Sequence, residues 1–458
     1  VKETDQGAAI DFLADPANHA GAAVERISTH GAHVFLAGDR AYKIKKAVDL
    51  GFFDFTTLAR RRHFLGRELV LNRAFAPSLY LRLRTVAREP DGRLAWDGAG
   101  AVVEWVLEMR RFSQSSLFDR MAREGRLTPA ILARLADRIA RIQDQAERRA
   151  DHGGMGSLAD VIDVAERRFR EEPALAREPI DAVIGRARET LARRAPLLAR
   201  RRASGFVRRC HGDFHLRNVC LVDGEPTPFD CLEFDDALSV IDIAYDVAFL
   251  LMDIRHRGLG ALANLTLNRW LAWTADYESL GLLPLFLALR AMIRSHVSAA
   301  MKESEEALRY FRDAGRFLAP PPPMLVAIGG LSGSGKSTVA AALAPRLGAT
   351  PGAAILRSDV FRKRLFDKAP EERLGPEAYA PSVSAEVYGR LETAARDCLA
   401  AGHAVIVDAV HLRPGERARI EEVARSAGAA FFGLWLDVPP ETLRQRVADR
   451  RHDASDAT

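Results

Sequence analysis

Eight residues, Gly330-Leu-Ser-Gly-Ser-Gly-Lys-Ser337, constrain the fold of this chain more than any other stretch. An apolar run, Met324-Leu-Val-Ala-Ile328, precedes them, and the helix-forming Thr338-Val-Ala-Ala-Ala-Leu343 follows. A buried strand, a glycine-rich turn and a helix in that order open a parallel α/β unit. A turn built on Gly330, Gly333, Ser334 and Gly335 directs backbone N–H groups at a phosphate and adds the positive end of the helix behind it. In that setting Lys336 reaches the β- and γ-phosphates of a nucleotide, the Ser337 hydroxyl can ligate Mg²⁺, and Thr338 joins Lys336 and Ser337 in binding ATP.

The residues that follow extend this unit. Ala354-Ile-Leu-Arg357 reads as a second strand ending in Ser358-Asp359, with Arg362 about one helical turn later. Ala404-Val-Ile-Val-Asp408 is a third, with an acid at the carboxyl end where parallel sheets place ligand groups, so Asp408 suits a water-mediated Mg²⁺ role. A fourth strand, Phe431 to Leu436, leads through Pro439-Pro440 into a helix ending Arg446-x-x-x-Arg450-Arg451. Arginines there can close over transferring phosphates, and Arg450 is assigned to ATP binding. These residues resemble the small P-loop kinases of the gluconate kinase, polynucleotide kinase and zeta-toxin groups. The resemblance implies Asp359 as the base that takes the acceptor proton and Arg362 as a substrate clamp. Ser-Asp before a helix also suits a plain N-cap, which is the competing role for Asp359. Such kinases have a five-stranded core and only four strands are read here, so the module is expected to be incomplete at its C-terminus.

Four consecutive prolines, Pro320 to Pro323, cannot continue a helix and favour a stiff spacer. They place a junction between a domain at 1–319 and the P-loop domain at 324–458. Upstream, His33 to Ala37, Gly38-Asp39 and Arg40 to Lys46 form a strand–turn–strand pattern, Phe53 to Phe75 reads as a helix, and two short strands flank Asp97-Gly98, the second running from Ala101 to Met109. Beyond about residue 110 the chain turns helical. Thr128-Pro129 opens one helix, and the arginine-rich stretch from Arg186 to Arg202 reads as a solvated helix face.

This upstream part has its own chemical signature, His211-Gly-Asp213-Phe-His-Leu-Arg-Asn218. Asp213 and Asn218 stand at the D-x-x-x-x-N spacing of a kinase catalytic loop, in which the Asp orients the acceptor hydroxyl and the Asn faces Mg²⁺. Pro228-Phe-Asp230 supplies a second metal acid at a strand end, and Tyr42-Lys43-Ile-Lys45 a strand lysine that Glu68 can pair with. Lys43 is the choice for the phosphate lysine, with Lys45 on the same strand face as the alternative. Together these residues resemble the aminoglycoside phosphotransferase and choline kinase-like family across most of Ala32 to Leu318. That implies a two-lobed protein-kinase-like fold, with an N-lobe to about residue 110, a C-lobe from about 111 to 319, and ATP near a hinge at Met109 to Phe112. The expected fold class is therefore multidomain, an α+β kinase-like domain followed by an α/β P-loop domain with a parallel sheet. Gly212 replaces the arginine of H-R-D, and D-F-G, A-P-E and G-x-G-x-x-G are lacking, which argues against a protein kinase gated by an activation loop. His211 reads as a loop brace and His215 as structural. Glu233, Asp235 and Asp236 are the candidate acids for a cationic acceptor.

Charge narrows the partners. Up to Ala319 there are 48 basic and 44 acidic residues, and from Pro320 on 18 and 17, so neither part concentrates the positive field that nucleic acid demands. The longest apolar stretch, Leu282 to Leu289, is too short for a bilayer and runs into Arg290 and Arg294. Lys2, Glu3, Asp5 and Asp11 break up any secretory h-region. The four cysteines form no C-x-x-C pair. The expectation is a cytoplasmic tandem phosphotransferase, each module using Mg²⁺ and ATP to phosphorylate a hydroxyl of a small molecule. Two alternatives stand beside it: a regulatory protein with a non-catalytic kinase-like domain and one active P-loop domain, and a nucleic-acid end kinase. No pattern in the sequence speaks to oligomeric state.

Overall fold

The structure, a computed structural model, describes residues 5–49, 51, 53–370 and 372–448. The chain packs into two compact units. The first holds the described residues up to Leu127 with Ile142–His152 and Val207–Ile241; the second holds Thr128–Arg141, Gly153–Phe206 and the described residues from Asp242 on.

In the first unit, β1 (Val24–Ser28), β2 (Ala32–Ala37), β3 (Arg40–Lys45), β4 (Tyr80–Arg88), β5 (Leu94–Trp96) and β6 (Ala101–Arg110) form one sheet in the order β1-β2-β3-β6-β4-β5. Every neighbouring pair is antiparallel. Alternation along the strands makes two apolar faces. Tyr42 and Ile44 join Phe35, Val86 and Val106 on one side, while Ala41 joins Leu36, Leu65 and Leu107 on the other. Leu65 belongs to α1 (Leu58–Phe75), so the odd-numbered residues of β3 look at that helix. The helix starts five residues later than the sequence pattern suggested, because Thr57 is extended and its hydroxyl accepts from the Arg60 N–H as an N-cap. The strand β4 was not foreseen. Its arginines at 82, 84 and 88 obscure the alternation, yet Arg82 pairs with Glu108 and Arg84 with Asp97 across the sheet. A hairpin of β7 (Val219–Val222) and β8 (Glu225–Pro228) turns at Asp223 and Gly224, both at positive φ.

In the second unit, β9 (Met324–Gly329), β10 (Ala354–Arg357), β11 (Val405–Asp408) and β12 (Ala430–Trp435) form a parallel sheet in the order β10-β11-β9-β12. Val326, Ile328 and Ile406 form its core with Ala340 of the helix after the glycine-rich loop. Helices from before the prolines pack into the same unit. Helix α2 (Ile180–Ala203) largely bears out a solvated arginine face, with one exception: Arg201 is fully buried and makes forked bonds to Asp242 and Asp276. Helix α3 (Gly260–Thr274) covers the edge of β10: Asn264 Nδ2 donates to the Ala353 carbonyl at 3.1 Å, and the Ile355 N–H donates to Asn268 Oδ1 at 2.6 Å. An edge strand whose ladder groups would otherwise face solvent is thus satisfied by side chains. Among the described residues no helix is long and apolar enough to cross a membrane.

Candidate active sites

The first site grows out of β3 and α1. Lys43 and Lys45, two residues apart on the face that looks at α1, both reach Glu68, at 2.7 and 2.6 Å, and Glu68 is fully buried. Beyond it they diverge. Lys43 continues to Asp230 at 2.7 Å, and Lys45 to Glu233 at 2.5 Å. Burial opposes the Lys43 charge, but Asp230, Glu68 and Glu233 outweigh it and hold the ammonium above its ordinary range. Burial likewise raises the Asp230 carboxyl, and Lys43 overcomes that and holds it below the usual carboxylate range.

The hairpin β7–β8 holds the two metal candidates at its ends, since Asn218 directly precedes β7 and Asp230 lies two residues past β8. The Phe229 N–H donates to the Asn218 carbonyl, and His211 Nε2 donates to the Phe229 carbonyl, each at 2.9 Å. His211 therefore braces the loop. Asp230 adopts a φ of 60°, and its own N–H is held by the Tyr80 hydroxyl at 3.0 Å. Asn218 Nδ2 donates to both the carbonyl and Oδ2 of Asp213 at 2.9 Å. His215 Nδ1 accepts from the Arg217 N–H, so its Nε2 carries the proton and faces Asp213 Oδ2 at 3.4 Å. Gly212 explains the missing arginine of the kinase motif. Its φ is +81°, and a Cβ there would sit 2.9 Å from the Leu238 carbonyl oxygen.

The three acids considered for a cationic acceptor are otherwise engaged. Glu233 is buried on Lys45, Asp235 Oδ1 accepts from the Ala237 N–H as a helix cap, and Asp236 is gripped by Arg67 and Arg209 at 2.6 and 2.8 Å. All four cysteines are buried and free of disulfides.

The second site lies at the carboxyl ends of β9, β10 and β11, around a cavity of about 1610 Å³. Gly330, Gly333 and Gly335 all have positive φ, and a Cβ on Gly330 would come within 2.8 Å of the Leu436 carbonyl oxygen. Gly335 caps α4 (Lys336–Leu343), whose first turn supplies Lys336, Ser337 and Thr338 to the cavity wall. Lys336 Nζ folds back on the carbonyls of Gly330 and Leu331 at 2.8 and 2.9 Å. The Ser337 hydroxyl donates to Asp408 Oδ2 at 2.6 Å, joining the two oxygen groups assigned to Mg²⁺. The Ser334 hydroxyl is buried in the loop, and among the described residues it has no hydrogen-bond partner.

Asp359 lies in the first turn of α5 (Ser358–Leu365) and lines the cavity, as does Arg362. The N-cap of α5 is Arg357, with no side-chain cap bond, so Asp359 is not the capping residue. Arg362 is buried, bonded to the Ala378 carbonyl and the Ser384 hydroxyl, with its guanidinium 4.7 Å from the Tyr379 ring centroid. Arg450 lies outside the described residues. Four residues earlier in the sequence, in α6 (Pro440–Ala448), Arg446 reaches over the loop to the Gly333 carbonyl at 3.5 Å. Arg446, read from the sequence among the helix-end arginines though not itself assigned to ATP binding, lines the cavity, and Arg413 lines it without having been singled out. Arg413 had only one signal, its place just before Pro414 at a helix start.

An antiparallel sheet whose lysine meets a helix glutamate, together with an Asp-x-x-x-x-Asn hairpin, belongs to the kinase-like phosphotransferases, while the Gly-Lys-Ser loop on a parallel sheet belongs to the P-loop proteins. Residues 100–283 match the phosphotransferase enzyme family, and residues 325–458 match an AAA domain family. The chain is thus a phosphotransferase-family domain followed by a P-loop domain of kinase type. Along nearly its whole length it is similar to uncharacterized proteins of Mycobacterium tuberculosis and Mycobacterium bovis, 29% identical over 445 residues, covering 94% of this chain and 87% of theirs. Among solved structures it is similar to a choline/ethanolamine kinase family protein of Mesorhizobium loti, with 15% identity over 68% of this chain and 94% of that one and a TM-score of 0.42. It is also similar to an APS kinase of Mycobacterium tuberculosis, with 31% identity over 28% of this chain and 70% of that one and a TM-score of 0.23.

Proposed function

We propose that the chain is a tandem ATP-dependent phosphotransferase of the cytoplasm, each site transferring the γ-phosphoryl of ATP to a hydroxyl of a small molecule. The observation that carries this reading is that each site has a complete set of its own: Lys43, Glu68, Asp213, Asn218 and Asp230 in one, and Lys336, Ser337, Asp359 and Asp408 in the other. We take Pro320 to Pro323 as the junction in the chain between the two kinase segments.

The donor chemistry fits Mg²⁺. Asp230 offers a carboxylate, and Asn218 spends its Nδ2 on Asp213, which leaves the amide oxygen for an ion. Ser337 and Asp408 offer hydroxyl and carboxylate oxygens in the second site. An Mg²⁺ ion held by these groups would supply charge neutralisation to the phosphates of ATP. Lys43 and Lys336 bind the phosphates, and Arg446 closes over the loop, with Arg450 proposed to assist it. Asp213 and Asp359 orient the acceptor hydroxyl and take its proton. As the acceptor oxygen bonds to the γ-phosphorus, the bond from that phosphorus to the bridging oxygen breaks and ADP leaves. The near balance of charge in both parts supports small acceptors over nucleic acid.

Steady ATP turnover by the full chain across a panel of small hydroxyl compounds tests this. Asp213→Ala and Asp359→Asn should each remove turnover with a different subset of acceptors. Turnover that answers only to oligonucleotide ends, or that neither substitution touches, would overturn it.

A further inference from the structure

Consecutive backbone amides around Asp230 go to different parts of the first unit. The Phe229 N–H stays within the hairpin segment, on the Asn218 carbonyl, and the Leu232 N–H goes back to the His211 carbonyl, each at 2.9 Å. The two amides between them are taken by side chains. The Asp230 N–H donates to the Tyr80 hydroxyl at 3.0 Å, and the Cys231 N–H donates to Asn72 Oδ1 at 2.9 Å. Tyr80 opens β4, and Asn72 follows Glu68 by four residues on α1. The sheet and helix that present Lys43 and Glu68 therefore also grip the peptides on either side of Asp230. Tyr80 and Asn72 are both buried. Asn72 Nδ2 donates to the Glu68 carbonyl at 3.0 Å, which fixes the amide and turns Oδ1 toward Cys231.

Asp230 needs such a grip. Its φ of 60° lies in the left-handed region, where a residue with a side chain stays only if its surroundings hold it there. Its side chain is 45% exposed and tied to Lys43, so the carboxylate stays open to an ion while the backbone beneath it is fixed. A buried N–H that loses its acceptor costs free energy, and removing either side-chain acceptor would loosen the backbone at this point. A ligand group held by outer partners binds a metal more tightly than one that must be ordered on binding. We propose that Tyr80 and Asn72 are positioning residues of the first site, clamping the backbone of Asp230 so that its carboxylate is preset for Mg²⁺. The proposal rests on reading this site as one that binds Mg²⁺ and ATP.

The test uses the full chain carrying Lys336→Ala, so that AMPPNP reports on the first site alone, and follows AMPPNP binding by calorimetry across a series of Mg²⁺ concentrations. Tyr80→Phe keeps the ring and removes only the acceptor. It is expected to raise the Mg²⁺ concentration at half-maximal binding about 10- to 100-fold, with wild-type affinity recovered once Mg²⁺ saturates. Asn72→Ala should shift the midpoint in the same direction. Turnover should split the same way, with a higher requirement for Mg²⁺ and a kcat near wild type at saturation. Phe35→Leu, on the opposite apolar face of the sheet, serves as the control for lost packing and should leave the midpoint in place. A midpoint that Tyr80→Phe does not move, or that Phe35→Leu moves as far, would overturn the positioning role. Absence of AMPPNP binding, or a midpoint indifferent to Asp230→Ala, would instead overturn the reading of the site itself.

Discussion

Lys43 Nζ lies 2.7 Å from the Asp230 carboxylate, and this contact separates it from its strand neighbour Lys45, which turns to Glu233 instead. On the proposed reading the phosphate lysine is Lys43, the one that touches the proposed metal acid. Lys43→Ala is expected to weaken ATP binding at the first site about 10- to 100-fold, the 1.5–3 kcal/mol of a hydrogen bond to a charged group, and also to lower stability, since buried Glu68 loses one of its two cations. Lys45→Ala leaves Glu68 and Glu233 buried with one cation fewer and should cost about 3–5 kcal/mol of stability. Calorimetric ATP titration and denaturant unfolding of both variants separate the roles, and the reverse assignment of effects would make Lys45 the phosphate lysine.

Gly212 stands where only glycine fits. Gly212→Ala forces a side chain to φ +81° and within 2.9 Å of the Leu238 carbonyl. The strain is expected to cost about 1–3 kcal/mol. Because Asp213 is the next residue, its displacement should lower turnover at the first site on the order of a hundredfold. Wild-type kinetics in a variant that unfolds at wild-type urea would contradict the placement.

Asn268 ties the helical part of the second unit to the sheet that carries Asp359. Asn268→Ala leaves the Ile355 N–H without its acceptor and should destabilise the second unit by about 1–3 kcal/mol. Hydrogen exchange at Ile355 should rise sharply, while amides of the first sheet keep their protection. Unchanged exchange at Ile355 would show that α3 does not support β10.

Acid should loosen the second unit through His403. Burial holds its imidazole down at about 4, with Nε2 donating to the Gly352 carbonyl at 2.9 Å. The unfolded chain protonates near pH 6.5, so stability is intact above that value and is lost as pH falls toward 4. The expected loss is about 2 kcal/mol by pH 5. His403→Gln keeps a donor for Gly352 and does not titrate, so the difference between its stabilities at pH 7 and pH 5 should be smaller than the wild type's by that amount. Equal pH dependence in both would rule out His403 as the cause.

Much of this was legible in the sequence, for physical reasons. The glycine-rich loop could be read because a strand, a turn and a helix each left a local pattern, and Asn218 and Asp230 because their spacing is set by one hairpin. The choice between Lys43 and Lys45 could not, since period-two alternation places both on one face and only the distant Asp230 and Glu233 tell them apart. Asn264 and Asn268 read as an ordinary polar helix face, and only the edge of β10 shows their use. Arg201 read as solvated because its partners, Asp242 and Asp276, stand 41 and 75 residues away. For the same reason the acids at 233, 235 and 236 resembled a binding cluster until Lys45, the Ala237 N–H, Arg67 and Arg209 were found on them.

The central claim, two nucleotide sites in one chain, is tested most directly by counting them. Calorimetric titration of the full chain with AMPPNP in Mg²⁺ should give two sites for the wild type. Asp230→Ala should give one, because the metal acid of the first site is gone, and Lys336→Ala should give one, because the phosphate cation of the second is gone. A single wild-type site that Lys336→Ala removes and Asp230→Ala leaves intact would contradict the account, making the first domain a nucleotide-free scaffold and the protein a single kinase with a regulatory partner domain.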